Sequence, residues 1–115
     1  MTSEAIVTEA RSWVGTPYLH QGRRKGQGVD CIGLVVGVAQ SLCITVKDRA
    51  DYAQQPAKGE LQKELDRHGF RIPFTARQAG DILLMRFSTE PQHVAIFTGQ
   101  SIIHAYQNVG KCVGS

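Results

Sequence analysis

The stretch Gly28-Val29-Asp30-Cys31-Ile32-Gly33-Leu34-Val35-Val36-Gly37-Val38-Ala39 constrains this chain more than any other. Asp30 is a good helix N-cap, because a carboxylate oxygen can accept from the unpaired N–H groups of a first turn. Beyond Cys31 the apolar side chains fall all round the helix, so the helix is expected to be buried, ending near Leu42. Gly33 and Gly37 lie four apart on one stripe. Each costs a helix about 1 kcal/mol relative to alanine, so the pair predicts close approach of another backbone. Cys31 is thereby delivered to a helix N-terminus, where the helix dipole favours thiolate and lowers the thiol pKa. That is a setting for a nucleophile, and the rest of the chain has to be read for its partners.

With 115 residues the chain is expected to be one domain, residues 1–115, with a single core. A net charge of +3 is too mild to argue for nucleic acid, and no apolar run reaches membrane-spanning length. The start, Met1-Thr2-Ser3-Glu4, has neither the basic nor the apolar segment of a secretory leader. Three scattered cysteines, Cys31, Cys43 and Cys112, do not make a disulfide framework and fit synthesis in a reducing cytoplasm. Cys43 is expected to be a small buried hydrophobe, and Cys112 receives no role.

Residues 2 to 14 read as a helix, with Ile6, Ala10 and Trp13 on one face. Residues 20 to 29 read as a solvated, glycine-rich basic loop, in which Arg23, Arg24 and Lys25 could meet a carboxylate-bearing substrate. An irregular connection over 44–57 and an amphipathic helix over 58–68, with Leu61 and Leu65 inward, precede the turn Gln78-Ala79-Gly80. Three strands are then predicted, Asp81 to Phe87, His93 to Thr98 and Ser101 to Tyr106. Helices first and antiparallel strands afterwards argue for an α+β fold.

Gly99-Gln100 reads as a two-residue hairpin loop with glycine first, the type II′ signature. Such a loop pairs Thr98 with Ser101 and, counting back, Ala95 with His104 and His93 with Tyr106. Alternation then places His93, Ala95, Phe97, Ile102, His104 and Tyr106 on one face. The two histidines become diagonal neighbours, about 7–8 Å apart at the backbone. A three-residue loop would turn His104 over and forbid any relay between them. Two histidines on one face, with Cys31 approaching that face from a buried helix tip, form the inventory of a cysteine hydrolase. Taken singly, each is more simply a packed core residue. A zinc site of Cys31, His93, His104 and Cys112 is the chemical competitor, but no pair has the short ligand spacing that structural zinc favours. No metal and no cofactor is expected.

The motifs Trp13-Val14-Gly15-Thr16-Pro17-Tyr18, Asp30-Cys31-Ile32-Gly33-Leu34-Val35, Gly80-Asp81-Ile82-Leu83, His93-Val94-Ala95-Ile96 and Ile103-His104-Ala105 follow one another in order. Over residues 5 to 106 the chain resembles the NlpC family of papain-like cell-wall peptidases. The runs Tyr18 to Gly22, Glu90 to His93 and His104 to Tyr106 look most like its phage-tail-associated branch, which is thought to open peptidoglycan locally during DNA entry. The resemblance implies a papain-like domain, with N-terminal helices packed on a small antiparallel sheet and the catalytic cysteine at the start of the buried central helix. It makes Cys31 the nucleophile, His93 the general base and acid, and His104 the residue that orients His93. Tyr18 falls where the family has a tyrosine that helps hold substrate or the oxyanion. Ile32 stands where the family more often has serine. The implied reaction is hydrolysis of the γ-D-glutamyl–diaminopimelate amide of the peptidoglycan stem through a thioester. Asp30 beside Cys31 would raise the thiol pKa, so its charge is expected to be spent on capping or on the basic loop. The alternatives are a tail-assembly component of the same fold with little or no activity, or a related amidase or acyltransferase on another amide.

The implied setting is a virion-associated enzyme acting at the cell wall, with phage tail proteins as partners. In the family the sheet usually continues past the third catalytic residue, whereas nine residues follow Tyr106 here. A domain shortened at its C-terminus is therefore expected, leaving a strand edge near 101–106 open to a second copy in a homodimer.

Overall fold

A computed structural model describes residues 3–44, 74–87, 90–106 and 109–114. The predicted connection over 44–57 (beyond Ile44) and the helix over 58–68 lie outside these. Helix α1 spans Ser3–Arg11, and its apolar face continues past the last turn to Trp13, so that Ala10 and Trp13 are both buried. Helix α2 spans Cys31–Ser41. Gly33, Leu34, Val36, Gly37, Val38 and Ala39 are all buried along it, as an apolar sequence without a polar face requires.

The two glycines of α2 serve different neighbours. At Gly33 a side chain would run into the backbone carbonyl of Gly22, and at Gly37 into the indole of Trp13. Backbone cannot step aside, so the helix-propensity gain of about 1 kcal/mol in Gly33→Ala is outweighed by overpacking, which costs up to about 3 kcal/mol. Thermal denaturation is expected to show Gly33→Ala melting below the parent.

The basic segment is not a featureless loop. Strands β1 (Arg23–Arg24) and β2 (Gly28–Val29) form a miniature hairpin, Arg23 opposite Val29 and Arg24 opposite Gly28. Lys25 ties it to α1 by donating to Glu9 Oε2 at 2.8 Å and to Ser12 Oγ at 2.6 Å. The Gly26 N–H donates to Thr16 Oγ1 at 2.9 Å.

Strands β3 (Ile82–Phe87), β4 (Glu90–Phe97), β5 (Ile102–Tyr106) and β6 (Lys111–Gly114) form an antiparallel sheet in that order. The β4–β5 register pairs Ile96 with Ile103 and Phe97 with Ile102. That is the odd-sum parity a two-residue loop at 99 and 100 demands. The Thr98 N–H donates to Ser101 O at 2.9 Å, and Gly99 holds φ at 101°, which the first loop position requires. One face of the sheet, through Ile96, Ile103, Ala105 and Cys112, closes the core against Ala10, Trp13, Val29, Leu34 and Val38.

β6 corrects the expectation of an open edge after β5. Its residues pair Ala105 with Cys112 and Tyr106 with Lys111. Its own outer side is met by the turn after α1: Gly15 N–H donates to Cys112 O at 2.8 Å, Cys112 N–H to Thr16 O at 2.7 Å, and Tyr18 N–H to Gly110 O at 2.8 Å. The edge that was to support a homodimer is covered, and that reason for dimerisation is removed. Cys43 is likewise corrected: it is exposed, just past the end of α2.

Candidate active site

Asp30 sets the tip of α2. Its Oδ1 accepts from the Gly33 N–H at 2.7 Å, capping the first turn, and from Arg23 Nη1 at 3.2 Å. Its Oδ2 accepts from the Gln21 N–H at 2.8 Å. Asp30 is 2% exposed, so its carboxylate is a buried anchor of the helix tip and not a surface group. The Arg23 guanidinium is engaged there too, by Asp30 and by the Gly22 carbonyl, at 3.0 Å. Arg24 is exposed on the hairpin.

β4 and β5 bring the two histidines together. Nε2 of His93 lies 2.8 Å from Nδ1 of His104, with ring centroids 5.0 Å apart. His93 is buried and His104 half-buried. Cys112 pairs with Ala105, one residue along from His104, and therefore lies on the core face and not with the imidazoles. The zinc arrangement thus loses one of its four ligands.

The β4–β5 ladder opens beyond Ile96 and Ile103. Thr98 N–H points at β5, so by alternation the N–H of Val94 points the same way. There it favours a Cys31 thiolate. The helix tip therefore reaches β4 at the strand backbone, beside the position of His93, while the body of α2 packs on the opposite, Ile96 face of the sheet. The approach from over the histidine face, expected from the sequence, is not how the helix body comes in. No sequence signal pointed to the Val94 amide.

Tyr18 is clamped between β2 and the turn before β6, through Tyr18 N–H to Gly110 O and Leu19 N–H to Val29 O at 3.0 Å. Burial, reinforced by the negative charges of Asp30 and of an ionised Cys31, pushes its phenol up to about 12. The hydroxyl keeps its proton and can donate.

The lowered thiol pKa expected at the helix tip is reversed. Burial pushes Cys31 up to about 11; the Val94 N–H acts against this, Asp30 adds to it, and the N–H groups of Ile32 and Cys31 favour thiolate. Desolvation of a thiolate outweighs the helix end. Burial, with His104 as a second cause, carries His93 down to about 4, and burial lowers His104 as well. Both directions favour the neutral forms, a thiol at Cys31 and an imidazole at His93.

These shifts fix a pH window for stability. An unfolded chain takes up a proton on His93 below about 6.5 and the folded one resists until about 4, so stability is lost as pH falls across that interval, and the lowered His104 acts in the same direction. An unfolded cysteine ionises near 9, while Cys31 and Cys112 hold their protons to about 11, so stability is also lost as pH rises across that interval. Urea midpoints are expected to form a plateau between pH 6.5 and 9 and to fall on both sides.

The comparisons with known proteins agree with this fold. The NlpC/P60 family model matches residues 15–112. The murein DD-endopeptidase MepS/murein LD-carboxypeptidase of Escherichia coli K12 is 28% identical over 111 residues, 96% of this chain and 53% of the relative. The chain thus spans about half the length of the curated relatives it matches. Among solved structures, the NlpC/P60 domain of the peptidoglycan hydrolase SagA superposes with a TM-score of 0.74 at 28% identity, covering 100% of this chain and 89% of that one. An NlpC/P60 family protein from Bacillus cereus gives a TM-score of 0.77 at 20% identity, covering 100% and 35%, a likeness of fold.

Proposed function

This chain belongs to the NlpC/P60 family, and from that premise we propose that it is a cysteine peptidase cutting an amide of the peptidoglycan stem, with Cys31 as nucleophile. The observation that carries the reading is the 2.8 Å bond between His93 Nε2 and His104 Nδ1, on the strand whose next amide, that of Val94, favours the Cys31 thiolate. With Nε2 engaged by His104, exchange with the thiol falls to His93 Nδ1. A neutral His93 protonated on Nε2 and donating to His104 then has a basic Nδ1, the tautomer a general base needs.

As the sulfur attacks the amide carbon, its proton passes to His93 Nδ1 and the carbonyl π electrons move to oxygen. The Cys31 N–H and the protonated Tyr18 hydroxyl are the donors proposed for that oxyanion; one such donor is worth about 3 kcal/mol. His93 returns the proton to the departing amine, leaving a thioester. Water then adds to the thioester carbonyl, giving up a proton to His93, and the thiol is released. Starting from neutral groups suits a buried site, since charge appears only when the oxyanion forms. Exposed Arg24 is the basic side chain of the hairpin proposed to meet stem carboxylates.

The proposed bond is γ-D-glutamyl–diaminopimelate, and the proposed setting is a phage or prophage enzyme acting at the cell wall beside tail proteins. Purified muropeptides incubated with the protein and resolved by mass spectrometry test it. Release of fragments cut at that bond, absent with Cys31→Ala, is the expected result. Intact muropeptides would leave the inactive tail component as the better reading, and cleavage elsewhere would reassign the bond.

A further inference from the structure

The catalytic reading leaves the ring of Tyr106 without a task, although it touches both imidazoles. Tyr106 lies two residues beyond His104 on β5 and so on the same face. Its ring stacks on His104, with centroids 5.3 Å apart and planes 23° apart, and sits 5.6 Å from His93 at 57°. Its position is set from both sides of the chain. Ala105 is anchored in the core, and the Tyr106 carbonyl accepts from the Val109 N–H at 3.1 Å and the Gly110 N–H at 2.9 Å.

An imidazole held to another by a single N···N bond has a weakness. Half a turn about its Cβ–Cγ bond replaces Nδ1 by a carbon, and the bond is gone. His93 would then lose the acceptor that keeps its proton on Nε2, and its Nδ1 would no longer be reliably basic. A ring turning about that bond must sweep through the space of anything stacked on it. On His104 that neighbour is Tyr106.

We propose that Tyr106 is a positioning residue, whose ring clamps His104 in the orientation that presents Nδ1 to His93. This rests on the reading of Cys31, His93 and His104 as the catalytic set. The clamp needs an aromatic face and not a hydroxyl, so phenylalanine should serve where an aliphatic side chain should not. The aromatic face also lies near the ring on which positive charge develops, which adds in the same direction.

The test uses Tyr106→Leu and Tyr106→Phe in a Cys43→Ser background, where the exposed thiol no longer competes for label. Long-range ¹H–¹⁵N spectra read the tautomers of both rings, iodoacetamide reads the Cys31 thiol, and muropeptide turnover separates kcat from KM. Tyr106→Leu is expected to mix the tautomers, to slow Cys31 alkylation and to lower kcat about tenfold with KM unchanged. Tyr106→Phe is expected to restore all three. In the unsubstituted protein the His104 ring protons should be shifted upfield by the neighbouring ring, a measurement that needs no variant to fold. Parent-like tautomers and rates in Tyr106→Leu would overturn the clamp, as would a Tyr106→Phe as slow as Tyr106→Leu, or an unshifted His104. If Cys31 alkylation is indifferent to His93→Ala, the catalytic reading itself fails. If it depends on His93 but not on Tyr106, only the clamp fails.

Discussion

Cys31→Ala is expected to abolish muropeptide cleavage, and His93→Ala to lower kcat/KM by about 10⁴-fold, the scale on which members of a catalytic set act together. The two losses should not add, because each variant removes the same proton-coupled attack. His93→Ala should also slow alkylation of Cys31, since a thiol pushed up to about 11 has no other route to thiolate near neutral pH than a nearby base. This differs from what a helix tip alone predicts. A thiolate already present at rest would label quickly at mildly acidic pH, as the most reactive of the three thiols. Here the neutral thiol should label slowly at pH 6, and exposed Cys43 should label ahead of it. Cys31→Ala should melt close to the parent, whereas His93→Ala, which empties a buried position and removes the bond to His104 Nδ1, is expected to melt lower. Loss of His93 with turnover kept within tenfold would remove the general base from the mechanism.

The parts of this layout that were legible in the sequence are those set by short-range rules. An unbroken apolar run after Asp30 can only be a buried helix, and α2 is one. Gly99-Gln100 sets the hairpin parity, and parity alone decides whether His93 and His104 meet. The parts that were not legible depend on partners far along the chain. β1 and β2 have two residues each and exist because Lys25 and Thr16 hold the hairpin to the α1 side. β6 is four residues long, with no alternation to mark it, and is held between β5 and the Gly15–Tyr18 turn. Depth of burial is likewise a property of the fold. The sequence could place Cys31 at a helix end but could not say that desolvation would outweigh it. The stacking of Tyr106 on His104 needed only alternation to anticipate as a shared face, yet the face alone does not say that rings touch.

Asp30 joins the stability of the site to its chemistry, and its substitution is expected to move them in opposite directions. Asp30→Ala strips the acceptor from the Gly33 and Gln21 amides and leaves the Arg23 guanidinium half-buried without its carboxylate. Breaking a buried pair in this way costs about 3–5 kcal/mol, a fall in Tm of roughly 12–20 °C for a chain of this size. Asp30→Asn should cost less, since the amide oxygen can still cap Gly33 and accept from Arg23, while its NH₂ group faces the Gln21 N–H donor. What Asn also removes is a negative charge that raises the Cys31 pKa. The thiol should therefore ionise at lower pH in Asp30→Asn, and iodoacetamide should label it several-fold faster at pH 8 in a Cys43→Ser background, even as the denaturation midpoint drops. His20 lies against the same carboxylate, with Nδ1 4.0 Å from Asp30 Oδ2. Slower or unchanged labelling in a folded Asp30→Asn protein would mean that Asp30 acts on Cys31 only through the cap. Faster labelling with lower stability would show that the residue holding the helix tip together is also the one holding the thiol back.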